Sequence, residues 1–207
     1  PLARIGEVAR RADPRVDAHV AGEPPANTPR HPVLEGFDET DILAFGGTLT
    51  PLRVEDGATV PLTFIPAFPT YPPETSWMRE PKTDIPGLVL SQNGNSRIAY
   101  MPADVDRRYA YEHLPDHGRL LANVVRWAAI DTLPLAVTGT GLVHCHLYTQ
   151  PGRVLLHVIN LTSEATWRAP VDELIKVGPF DVTLKLPDDV HATTARLRVA
   201  GTTRTLR

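Results

Sequence analysis

A mixed α/β portion followed by a small β-sandwich is the fold class this chain predicts, on three observations. Residues 116–129 carry apolar side chains at three- and four-residue spacing, the period of a helix that buries one face. Residues 88–101 hold two extended runs on either side of SQNGNS, the pattern of a hairpin. Beyond Asp131 the apolar period shortens to two, as it does in strands. The organisation read from these signals is a poorly ordered segment 1–30, an α/β domain 31–130 and a β-sandwich domain 131–207.

Residues 1–32 hold six prolines, five arginines and few large apolar groups, so only Ile5–Arg11 is expected to make a short regular element there. Extended segments follow at Asp41–Phe45, Leu49–Val54 and Val60–Ile65, with Gly46 and Gly47 as the turn between the first two. Asn93 and Gly94 accept left-handed turn geometry between Leu88–Leu90 and Arg97–Met101. In the helix expected over Asp116–Ala129, Leu120, Leu121, Val124, Val125 and Ala128 share the buried face, Trp127 widens it and Asp116 is the expected N-cap. Strands are then expected at Leu142–Tyr148, Val154–Asn160, Phe180–Leu186 and Ala195–Ala200, with Trp167 closing the sandwich edge.

The chain has 207 residues, 42% of them apolar, and a formal charge of −3. Its cations are dispersed, which speaks against a nucleic-acid footprint or an anionic membrane surface. A single cysteine, Cys145, excludes an intrachain disulfide framework and fits a reducing compartment. No apolar run reaches 18 residues, so the expectation is a cytoplasmic protein with no membrane partner. The start at Pro1 without Met and the end at TTRTLR are read as the ends of a piece of something longer.

The segment of greatest functional interest is PAFPTYPPETSWMREP, Pro66 to Pro81, where five prolines interrupt any helix or central strand. Such a shaped loop lines a site or an interface. It carries Phe68, Tyr71, Glu74, Trp77, Met78, Arg79 and Glu80. With Asp104 and Asp106, Glu74 and Glu80 are the candidate acid and base for glycoside hydrolysis, which needs two carboxylates roughly 5–5.5 Å or 6.5–9.5 Å apart. The favoured reading is structural: the carboxylates accept backbone hydrogen bonds or pair with Arg79, Arg107 and Arg108. Tyr71 and Trp77 suit either stacking on a sugar or filling an interface.

His144 and His146 share one face of a strand, with Cys145 opposite, and His157 lies on the next strand. Three imidazoles invite zinc, but no carboxylate stands ready to orient them, and solvated histidines are the favoured reading; no metal or cofactor is expected. His113 and His117 straddle Pro115 and are not read as an i,i+4 ligand pair. Cys145 is read as a structural thiol, because its neighbouring histidines project to the other face. No nucleophile-elbow, phosphate-loop or dinucleotide motif is present.

Four blocks taken together, HPVLEGF (31–37), FPTYPPETSWMREPKTDIPGLVL (68–90), RIAYMPADVDRRY (97–109) and LPDHGRLLANVVRWAA (114–129), resemble the post-barrel region of a bacterial glycoside-hydrolase-like family. That family is related to the β-galactosidases that carry a trimerisation domain. The resemblance implies an incomplete flavodoxin-like domain of the class I glutamine-amidotransferase type over 31–130, followed by the small β-sandwich. It also implies that the catalytic barrel is missing, so no catalytic carboxylate carries over to Glu74, Glu80 or Asp104.

The function expected is therefore a non-catalytic assembly or accessory region of a sugar-active hydrolase. Its partners would be further copies of the chain, a trimer by resemblance, or a separate barrel. Phe68, Tyr71, Trp77, Arg79 and Arg107 are the expected ligand or interface residues. The alternatives are a carbohydrate-binding module using Tyr71 and Trp77, and a self-contained hydrolase using a Glu/Asp pair such as Glu80 with Asp104.

Overall fold

In this computed structural model the chain divides into two compact units, Pro1–Thr132 and Leu133–Arg207. The structure describes residues 2–5, 30–40, 42–44, 48–69, 71–81, 83–130, 133–162, 175–186 and 190–206. The expected disordered stretch up to residue 30, the Gly46–Gly47 turn and Trp167 therefore lie wholly or largely outside the described residues.

The first unit is built on a five-stranded sheet. Its strands are β1 (Leu2–Ile5), β2 (Ile42–Ala44), β3 (Thr59–Ile65), β4 (Pro86–Asn93) and β5 (Ser96–Tyr100), in the order β2-β1-β3-β4-β5. Gly94, at φ 59°, makes the tight turn between β4 and β5, and a turn that short can join only antiparallel neighbours. Two helices follow, α1 (Val105–Glu112) and α2 (Pro115–Ala128).

Every strand pair among the described residues is antiparallel. The expected α/β, flavodoxin-like domain is thereby overturned: among the described residues the regular structure is mostly strands in small antiparallel sheets, with two short helices. The physical reason lies in the connections. Parallel neighbours need a crossover of a dozen or more residues, usually a helix. Between β3 and β4 the chain instead runs through the proline-rich loop, where Pro69, Pro72, Pro73 and Pro81 prevent a helix from propagating.

One face of the sheet is covered. Val33, Leu34 and Phe37, in and just after a 3-10 turn at Pro32–Leu34, pack with Leu43, Leu62, Leu88, Leu90 and Leu120 into the main core. Ala99, Met101, Val124 and Trp127 close around it. The buried face of α2 differs from the expected one: Val125 is 53% exposed, while His117 and Asn123 are buried beside Leu120. The helix starts at Pro115, with Leu114 at the N-cap and Asp116 inside the first turn, because proline at the first helical position presets its φ and has no amide to leave unpaired.

One further expectation fails locally, and one helix appears where none was expected. Leu49–Val54 forms no strand; only Leu49 pairs, in an isolated antiparallel bridge with Ala103. Residues 105–112 form the helix α1, which ends at His113 in the left-handed conformation, φ 51°.

In the second unit the strands β6 (Leu135–Thr138), β7 (Val143–Gln150), β8 (Arg153–Asn160), β9 (Asp181–Leu184), β10 (Thr194–Leu197) and β11 (Thr202–Thr205) pair two by two, as β6-β9, β7-β8 and β10-β11. None of its described residues is fully buried. Among the described residues the unit thus shows three two-stranded ribbons where two packed sheets were expected. Gly139 and Gly141 are closely approached: an added Cβ would lie 2.4 Å from the Phe180 ring and 2.5 Å from Val177.

Candidate functional site

The proline-rich loop holds itself in shape. A second 3-10 turn, Pro73–Thr75, begins with proline and is closed by Thr75 donating its amide to Pro72 O at 2.9 Å and its hydroxyl to the same oxygen at 3.0 Å. Arg79 then folds back, donating to Trp77 O at 2.7 Å and Thr75 O at 3.2 Å. Its guanidinium lies 3.5 Å from the Trp77 ring centroid, a cation–π contact that occupies one face of the indole. Trp77 is nevertheless 55% exposed and Tyr71 82% exposed, while Phe68 and Met78 are half-buried. These rings are carried outward on a stiff mount, which lowers the ordering cost of any contact they make.

The candidate carboxylates stand on two elements, the proline-rich loop and the start of α1. Glu74 sits in the first turn of that 3-10 element and Glu80 beside Arg79, both exposed. Asp104 lies at the N-cap of α1 and accepts from Arg107, through Nε at 2.8 Å and through Nη2, and from the Thr48 amide at 3.1 Å. The Arg107 hydrogen bonds, assisted by the Thr48 amide, hold its carboxyl below the usual carboxylate range. Thr48–Thr50 and Pro102–Asp104 are further joined by Thr50 N to Pro102 O at 2.8 Å and the Leu49–Ala103 bridge. Asp104 is therefore a fixed negative charge that fastens this ladder to α1. Arg108 pairs with Glu112 and not with the loop.

A crevice in the first unit is lined by Leu43, Leu49, Phe64, Ala103, Val105 and His117, among others, and by none of Glu74, Glu80 and Asp104. Its one imidazole, His117, is 2% exposed and donates from Nε2 to Ala44 O at 2.6 Å, since a carbonyl can only accept. His113, at the end of α1, stacks on Tyr109 at 5.3 Å, so the two histidines serve different elements.

On the face opposite Leu88 and Leu90, the sheet exposes apolar side chains at its β5 edge. Across β4 and β5, Val89 pairs with Tyr100 and Ser91 with Ile98, so these four project away from the face that holds Leu88 and Leu90. Ile98 is 53% and Tyr100 52% exposed. Neither residue stood out in the sequence, because an exposed strand face is visible only once the helix side of the sheet is known.

In the second unit, β7 and β8 place His146 directly opposite His157 and His144 opposite Ile159, all exposed. Cys145 is half-buried on the other face. Among the described residues no group of three or more His, Cys, Asp or Glu side chains is gathered to hold a metal ion. Among the described residues no helix is long and apolar enough to cross a membrane.

The residues that sequence reasoning missed are polar groups that organise the first unit. His31 accepts the Val33 amide at 3.3 Å and meets the Trp127 ring edge-on at 5.6 Å. Arg97 donates to Trp127 O at 2.9 Å and lies over the same ring at 5.4 Å. Burial, with the nearby Arg97 charge, pushes His31 below its ordinary value. No known protein family, curated protein or solved structure matches this chain.

Proposed function

We propose that this chain is a non-catalytic assembly or accessory module whose partner is a second copy of itself. The observation that carries the reading is the apolar sheet edge, where Ile98 and Tyr100 are each more than half exposed on the edge strand β5. Aromatic and aliphatic side chains of that kind gain by desolvation at an interface centre. The loop offers Tyr71 and Trp77 on a mount that Arg79 and the prolines keep rigid. Arg107 and Asp104 engage one another, which suits a structural task. The link to a sugar-active hydrolase, to a trimer and to a cytoplasmic setting rests on the resemblance of the four sequence blocks and on the single cysteine. Sedimentation of the wild type and of Tyr100→Lys tests the reading: self-association in the first and its loss in the second are expected, and a wild type that stays monomeric at tens of micromolar overturns it.

Carbohydrate binding is the second reading, favoured specifically by Tyr71, whose ring is 82% exposed and open to stacking on the apolar face of a sugar. Saturable quenching of tryptophan emission by oligosaccharides, abolished in Trp77→Ala and weakened in Tyr71→Ala, is its expected signature.

A further inference from the structure

The β7–β8 hairpin brings together imidazoles that the sequence only places on neighbouring strands. His146 and His157 are direct cross-strand partners, and His144 lies two residues from His146 on the same face. Directly opposed side chains start from Cβ atoms roughly 4.5–5.5 Å apart. From that separation two imidazoles can converge on one ion at the metal–nitrogen distance of about 2.0–2.1 Å. The frame is regular: the register runs unbroken from Val143–Asn160 to Gln150–Arg153, and Arg153 Nε donates to Gln150 Oε1 at 2.7 Å beside the turn. The Tyr148 ring stands against His157 at 5.6 Å and 87°, limiting where that imidazole can swing.

We propose that His146 and His157 form a two-imidazole seat for a divalent transition metal, with water in the remaining positions. The donor set selects the class of ion. Imidazole suits zinc, copper and nickel, whereas magnesium and calcium want oxygen. Between Val143 and Asn160 this face of the hairpin carries no carboxylate. The rings do not form a ready-made group of three, so the seat is bidentate and closes on the ion by rotation of exposed side chains, a ps–ns motion.

Calorimetric titration of the full chain with Zn²⁺ in a non-chelating buffer tests this, alongside His146→Gln, His157→Gln, the double variant and His191→Gln as a histidine away from the hairpin. One saturable ion per chain is expected. Each hairpin single variant should weaken binding about tenfold or more, since the second imidazole acts at high effective concentration, and the double variant should lose little beyond either single. His191→Gln should match the wild type. Electron paramagnetic resonance of the Cu²⁺-loaded wild type needs no variant and should show splitting from two nitrogens. Absence of saturable Zn²⁺ uptake up to millimolar metal, unchanged titrations in both hairpin variants, or an oxygen-only copper spectrum each overturns the assignment.

Discussion

The carboxamide of Asn123, 6% exposed, donates to Glu35 O at 2.9 Å and to Val33 O at 3.3 Å, so one α2 side chain holds the 3-10 turn that lies 88 and 90 residues earlier. Removing it strands two carbonyls at the core. Asn123→Ala should cost about 2 kcal/mol in urea unfolding. Asn123→Asp should cost more at neutral pH, because an ionised carboxylate accepts only and would face two other acceptors.

Gly118 lies in α2 where an added Cβ would meet the Tyr109 ring at 2.9 Å. Alanine would gain about 1 kcal/mol in helix propensity, yet the ring is backed by His113 at 5.3 Å and cannot move aside cheaply. Gly118→Ala should therefore lower stability, overpacking costing about 1–3 kcal/mol. In a Tyr109→Ala background the same substitution should become stabilising, and a double-mutant cycle by chemical denaturation reads the sign change.

His31 gives the first unit a dependence on mildly acidic pH. Its value in the folded chain is lowered from the ordinary 6.5, so below that value the unfolded chain binds more protons than the folded one. The stability contribution is full above the ordinary value and is lost as pH falls from it toward the lowered one. Urea midpoints measured from pH 8 to pH 5 should fall in the wild type and flatten in His31→Gln.

Asp104 acts in a more acidic window with the same sign. Its folded-state value is lowered by Arg107 and the Thr48 amide, so its contribution is present above the unfolded carboxylate value and disappears as pH falls through it to the lowered one. Asp104→Ala should cost about 1 kcal/mol at neutral pH. It should also reduce the slope of stability against pH between pH 5 and pH 3.

If the proposed self-association holds, Trp77→Ala should weaken it by about 2 kcal/mol or more when the indole sits at the interface centre, and Ile98→Lys should abolish it. Analytical ultracentrifugation of the three proteins gives the comparison. A Trp77→Ala protein that associates as well as wild type, beside an Ile98→Lys protein that does not, would confine the contact to the sheet.

Several local structures were legible in the chain, and their causes are local. Val60–Ile65, the two arms around Asn93–Gly94, the helix beginning near residue 115 and the paired strands at 143–150 and 153–160 follow periodicity and turn residues. The fold class was not legible. Strand direction depends on which strands meet, and Leu2–Ile5 enters the sheet between two partners far along the chain. Nor does apolar periodicity find His117 and Asn123: both are polar, and both are buried because backbone carbonyls from distant segments satisfy them. Among the site residues, the exposed Tyr71 and Trp77 follow from proline-rich composition, whereas the His146–His157 opposition needs the hairpin register.

The position of β1 carries a kinetic consequence. Leu2–Ile5 is hydrogen-bonded on both sides, to Ile42–Ala44 and to Leu62–Ile65, so neither neighbour can be reached without closing a long stretch of chain. Loop entropy must be overcome before these bonds form, and high contact order slows folding toward the millisecond-to-second range. The β4–β5 hairpin, closed by two residues, can form first and wait. These four residues thus act as the last key in the sheet, and deleting them would release β2 from its described neighbour while leaving the hairpin intact.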